Sequence, residues 1–173
     1  IDMAPEESAA ESAESVRRGY TSIKLKARPW RHLHAQLEAA SAAAPDGYTF
    51  AIDFNGFLIN AEAAERMLRR LDPLAHVAIY ESPYYLKQDI PGAVRLCEAV
   101  EKMVVEHMNR DVLRADASDG LLVAANYMPL ARVRNQNAWC ALHDRPYWLQ
   151  MVGTGINTAY GVHLGATLSH ARL

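Results

Sequence analysis

The feature that most constrains this chain is a repeat. Short apolar runs that end in polar or charged residues recur at near-constant intervals. Lys26 to Asp53 is 27 positions, Asp53 to Glu81 is 28, Glu81 to Glu106 is 25, and Ala124 to Val152 is 28. Helix signals fill the intervals, and strands alternating with helices indicate βα units around a parallel sheet. Only the step from Glu106 to Ala124 is short, at 18 positions. It leaves room for about one or two helical turns around Asp111 to Arg114.

The helix and strand signals can be placed along the chain. Pro5 to Arg18 is predicted helical, with Pro at the first turn, Glu6 and Glu7 early, Arg17 and Arg18 late, and Gly19 as the stop. The run SIKLKA is a strand, and Pro29 and Trp30 open a second helix through about Ala44. YTFAIDFN is the next strand, followed by a helix capped by Asn60 and running to about Leu71. VAIYESP, a helix from about Asp89 to Val100, and KMVVEHMN continue the alternation. GLLVAA precedes a helix near Pro129 to Leu142, and PYWLQMV leads through GTGIN into a last helix near Thr158 to His170. That makes six strands. A closed eight-stranded βα barrel needs about 250 residues, so the chain reads as part of a barrel, a single incomplete domain over residues 1–173. An open doubly wound sheet is the alternative, but no Gly-rich phosphate loop follows the first strand. GTGIN comes late and has no P-loop lysine. It reads as a tight strand-to-helix connection, with anion binding at that helix start as the competing idea.

Composition narrows the function classes. A formal net charge of −2 over 173 residues gives no electrostatic footprint for nucleic acid. No window approaches the roughly 20 apolar residues of a membrane span, and the acidic, Ala-rich start lacks the blocks of a signal peptide. A cytoplasmic setting is therefore expected. Cys97 and Cys140 stand in apolar contexts without CxxC spacing, as buried thiols do. The chain begins with Ile1 and ends at Leu173 on a predicted helix, so sequence is expected to be missing at both ends. Further copies of the same chain are an expected partner, and nucleic acid and membrane are not.

In a parallel barrel the C-terminal ends of the strands open on one face, where their side chains converge. Here those ends carry Lys24 and Lys26, then Asp53 with Asn55, then Glu81, then Glu106 with His107 and Asn109. Three carboxylates on successive strand ends repel one another unless neutralised, and a hard divalent cation such as Mg²⁺ does that with oxygen ligands. Each residue alone has a plain reading: a lone Asp is usually a cap, YESP a turn, and a KxK pair a solvated strand face. Their recurrence at equivalent points of one repeat is what carries the site. Tyr84 and Tyr85, after ESP, are packing residues or substrate contacts.

The order of these motifs resembles the enolase superfamily, in its mandelate racemase and muconate lactonizing enzyme branch. The matching stretches are GYTSIKLKA (19–27), AIDFNG (51–56), YESP (80–83), VVEHMN (104–109) and GTGINTAYGVHLGATLSHA (153–171). The resemblance implies a modified (β/α)₇β barrel, normally preceded by a capping domain that is absent from this sequence. It also implies Mg²⁺ held by Asp53, Glu81 and Glu106, with Asn109 as the alternative third ligand. By position in the family motif Lys26 is the base, while Lys24 is its electrostatic neighbour and, with Asn55, a substrate contact. The implied chemistry is removal of the proton next to a substrate carboxylate, with the enediolate stabilised by the metal. A base lysine must be neutral, and like-charge repulsion from a neighbouring ammonium and a cation favours that state.

The sequence also departs from the family. Two-base racemases place a His at the end of the seventh strand with an Asp partner on the sixth, where this chain has WLQMVGTG and, in LLVAANY, Asn126. The lysine that cycloisomerases carry at the end of the sixth strand is also missing. What remains is one-sided chemistry by the lysine pair, as in a dehydratase or isomerase acting on an acid sugar or other hydroxy acid. The alternative is a homologue that keeps the metal site without turnover.

Overall fold

The computed structural model describes residues 3–172. The helices are α1 (Pro5–Arg17), α2 (Leu33–Ala42), α3 (Ala61–Leu71), α4 (Ile90–Ala99), α5 (Arg110–Arg114), α6 (Leu130–Leu142) and α7 (Gly155–Gly165). They alternate with strands β1 (Ser22–Lys26), β2 (Thr49–Asp53), β3 (Val77–Glu81), β4 (Met103–His107), β5 (Gly120–Val123), β6 (Tyr147–Leu149) and β7 (Ala171–Arg172). Described strand pairs are parallel. The fold class is an incomplete α/β barrel, as the repeat predicts.

The chain divides into two compact units, one reaching to Tyr85 and including Arg95–Val104, the other made of Leu86–Val94 and the chain from Val105 onward. In the first unit a period of two governs burial. Phe50, Ile52 and Phe54 are fully buried on one face of the β2 segment, which leaves Thr49, Ala51 and Asp53 on the other. The same alternation in β1 buries Leu25 and Ala27 and turns Lys24 and Lys26 the opposite way. α3 begins where the sequence predicts: the Asn60 side chain accepts from Ala63 N–H at 2.9 Å. The buried Tyr80 hydroxyl donates to Leu68 O at 3.1 Å and to Asp72 Oδ1 at 2.9 Å, tying β3 to the end of α3. Replacing Tyr80 with Phe takes this donor from Asp72 Oδ1, while Leu68 O keeps the Asp72 N–H. We expect a loss of about 1–2 kcal/mol, visible as a lower urea midpoint at unchanged slope.

Register decides where the charges go. β1 and β2 pair with Lys26 opposite Asp53. β2 and β3 start with Phe50 opposite Val77, but the register shifts between Phe50 and Ala51, so that Ile79, Tyr80 and Glu81 stand opposite Ala51, Ile52 and Asp53. Ala78 is the extra residue of this irregularity. It brings Glu81 level with Asp53 and points Tyr80 at the helix side.

The second unit packs Leu113, Leu121, Val123, Val133, Cys140, Tyr147 and Leu164 into a core. Cys140 is buried and Cys97 half-buried, and burial pushes the Cys140 thiol up to about 11. Gly120 is the tight point of β5, because a Cβ there would lie 2.7 Å from Trp148 and 3.2 Å from Val105. Gly120→Ala should therefore lower stability by about 1–3 kcal/mol, read from thermal unfolding.

Element ends differ from expectation in three places. The helix expected from Pro29 starts at Leu33, where His32 Nδ1 caps it by accepting from Ala35 N–H at 3.2 Å. The last helix spans Gly155–Gly165 rather than 158–170, and the Thr167 hydroxyl donates to Leu164 O at 2.8 Å as the chain turns out of it. A seventh strand follows, with Ala171 and Arg172 opposite Tyr147 and Trp148. Two residues are too few to show a strand period, so the sequence reads them as the end of the helix. No helix among the described residues is long and apolar enough to cross a membrane.

Candidate active site

The row Lys26, Asp53, Glu81 lies at the ends of three adjacent strands of the first unit. Asp53 is 1% exposed and Glu81 2%, so two carboxylates share a site with almost no water. Such a pair needs positive charge at once, and the lysines supply it. Lys24 Nζ lies 2.9 and 3.0 Å from the two Glu81 oxygens and 3.5 Å from Asp53 Oδ2, and Lys26 Nζ donates to Asp53 Oδ2. The same-face lysines are thus matched directly by the acidic strand ends.

The turns behind the strands finish the network. Asn55 has φ +50°, its N–H donates to Asp53 Oδ1 at 2.9 Å, and its Oδ1 accepts from Lys26 Nζ at 3.2 Å. Ser82, just after Glu81, is also left-handed at φ +44°. Phe54, Gly56 and Leu58 N–H groups donate to the carbonyls of Glu81, Ser82 and Pro83, which joins the two turns. Gly56 has φ +79°, and a Cβ on it would meet the Tyr85 ring at 3.1 Å. Tyr85 thus packs over this turn, and Tyr84 is buried.

Electrostatics separates the two acids. Burial pushes the Glu81 carboxyl up to about 7, with Lys24 opposing and the Asp53 charge adding to the rise. Burial also acts to raise Asp53, but hydrogen bonds from Lys26 and Glu81, the Lys24 charge and the Asn55 N–H together hold it below its ordinary value. Asp53 therefore carries the charge, and Glu81 holds a proton into the neutral range.

Glu106 stands in the second unit. It is 7% exposed, its Oε1 accepts from its neighbour His107 N–H at 2.6 Å, and Leu86 N–H approaches Oε2 at 3.5 Å. Asn109 caps α5, its Oδ1 accepting from Asp111 and Val112 N–H at 2.9 and 3.2 Å. That oxygen is already employed. Asn126, after β5, donates through Nδ2 to Val152 O at 2.7 Å. The structure thus brings together Lys24, Lys26, Asp53, Asn55 and Glu81, and describes Glu106 and Asn109 in their own unit. Among the described residues no three His, Cys, Asp or Glu side chains form a group arranged to hold a metal. The donor chemistry of Asp53 and Glu81 nevertheless fits Mg²⁺, which takes one or two hard carboxylates and keeps positions for water and substrate.

The network extends to a residue outside the predicted set. Arg28 Nη1 donates to Asn55 Oδ1 at 3.0 Å and to Ala27 O at 3.3 Å. The signal was present, since Lys24, Lys26 and Arg28 continue one alternation in KLKAR.

Comparison with known proteins now decides the family. The model of the family described as "Enolase C-terminal domain-like" matches residues 7–173. The chain belongs to that family. Solved structures share this enolase-type fold. A mandelate racemase/muconate lactonizing family protein from Azoarcus sp. EbN1 aligns at 22% identity and TM-score 0.85, over 98% of this chain and 47% of that one. A member of the enolase superfamily from Salmonella Typhimurium aligns at 13% and 0.85, over 100% and 50%. The L-Ala-D/L-Glu epimerase from Bacillus subtilis, solved as a substrate-liganded complex, aligns at 15% and 0.83, over 98% and 50%. The chain spans about half the length of these relatives. None of the curated proteins compared with it matches.

Proposed function

We propose that the row Lys26, Asp53, Glu81, with Lys24 beside it, is the working centre of an Mg²⁺-dependent enzyme that removes the proton next to a substrate carboxylate. The observation that carries this reading is the buried, register-matched pair of carboxylates neutralised by two same-face lysines. A purely structural cluster has no need of two buried acids, whose desolvation is costly. Asp53 and Glu81 would hold the cation, with Glu106 proposed as third ligand from its place in the motif. Asn109 is the poorer choice, because its amide oxygen already caps α5.

A bound Mg²⁺ supplies positive charge where a carboxylate substrate gains negative charge during proton loss. The remaining work falls to the chain. Lys26 takes the proton at Nζ as the neutral amine, which requires that its bond to Asp53 be given up. Lys24, which reaches both acids, binds the substrate carboxylate. Asn55 Oδ1 keeps Lys26 Nζ aimed after the carboxylate is engaged elsewhere. With Asn126 in place of an acid and no His on the segment after β6, the chemistry is one-sided, which favours a dehydratase or isomerase of hydroxy acids.

A second reading has its own support: each lysine is ion-paired as it stands, as in a homologue that keeps the site without turnover. Proton NMR in deuterated buffer with Mg²⁺ separates the two. The enzyme exchanges the proton next to the carboxylate in at least one member of a hydroxy-acid panel. Absence of exchange across the panel, with Mg²⁺ binding intact, favours the second reading.

A further inference from the structure

Lys24 and Lys26 of β1 are followed two residues beyond its end by Arg28, and among the described residues only the two lysines have an acid. Lys24 pairs with Glu81 and Asp53, and Lys26 with Asp53. Among the described residues the Arg28 guanidinium donates to two neutral oxygens, Asn55 Oδ1 and Ala27 O, both through Nη1. Its Nε and Nη2 form the edge that pairs with two oxygens of a carboxylate or phosphate at once. Arg28 is half-buried and adjoins the network, because its Nη1 and Lys26 Nζ donate to the same Asn55 oxygen. Asn55 is itself fixed by its left-handed backbone and its bond to Asp53. The guanidinium is therefore held one hydrogen-bond bridge from the proposed base.

We infer that Arg28 recognises a second anionic group, carboxylate or phosphate, on the hydroxy-acid substrate, so that this site selects doubly acidic substrates over singly acidic ones. The inference rests on the proposed function and specifies its substrate class.

The test is calorimetric titration of the full-length protein with Mg²⁺ present, using malate, lactate and inorganic phosphate as probes. Malate should bind more tightly than lactate. Arg28→Ala should weaken malate by about tenfold to a hundredfold, the range for loss of a charge-assisted hydrogen bond, and leave lactate unchanged. Arg28→Lys should restore part of the difference. Phosphate that binds, displaces malate and is lost in Arg28→Ala assigns the subsite to phosphate groups. A malate preference that survives saturating phosphate assigns it to a carboxylate. Equal binding of malate and lactate, or equal weakening of both by Arg28→Ala, overturns the role of Arg28 while the proposed function stands. Failure of both acids to bind overturns this inference, while exchange across the hydroxy-acid panel tests the proposed function separately.

Discussion

Lys26→Ala should slow solvent exchange of the proton next to a substrate carboxylate by about two to four orders of magnitude, the usual contribution of a positioned general base. The same substitution should leave Mg²⁺ binding intact or tighten it. Lys26 Nζ now occupies Asp53 Oδ2, and removing the ammonium removes a competitor for that oxygen. Two readouts moving in different directions distinguish a base from a structural lysine, whose loss would weaken both. Exchange at the wild-type rate in Lys26→Ala sinks the assignment. Lys24→Ala gives the internal comparison, since its main effect should fall on substrate affinity.

Glu81→Gln should separate stability from function just as clearly. The folded protein holds the Glu81 proton up to about pH 7, against an ordinary value of 4.5. A carboxyl whose folded value is raised contributes stability that is fully present below about 4.5 and lost as pH rises through about 7. In metal-free buffer, Glu81→Gln should therefore melt several degrees above wild type at pH 8, with the gain vanishing near pH 4.5. Its Mg²⁺ affinity should fall at least about tenfold, because a neutral amide replaces a hard anionic ligand. Asp53→Asn should have the opposite stability effect, since Asp53 carries the charge that Lys26 answers. If Glu81→Gln destabilises the metal-free protein at pH 8, the strain assigned to the buried acid pair is wrong.

Much of this architecture was legible in the sequence, for identifiable reasons. The βα repeat showed because each strand is half apolar and each helix has its own stop and start, as at Asn60 and Gly19. The acidic strand ends showed because they recur in phase with that repeat. Three things did not show. Ala171–Arg172 is too short for a period and is fixed only by pairing with Tyr147 and Trp148. The lysine–carboxylate pairs are contacts across 27 and 57 positions, set by register and not by any local pattern. Arg28 is the third member of an alternation whose first two members make up the KxK motif, and its bond to Asn55 crosses 27 positions.

The extra residue at Ala78 bears on how such a centre tolerates evolutionary change. The helices and connections between β1, β2 and β3 can lengthen or shorten freely, because they return the chain to strands whose mutual alignment is fixed by ladder bonds. A single insertion inside β2 has no such freedom: it exchanges Asp53 for an apolar neighbour on the working face and leaves Lys26 without its acid. Variation among descendants of this chain should therefore collect in α2, α3 and their loops, while the length of three five-residue strands and their one irregularity stays fixed.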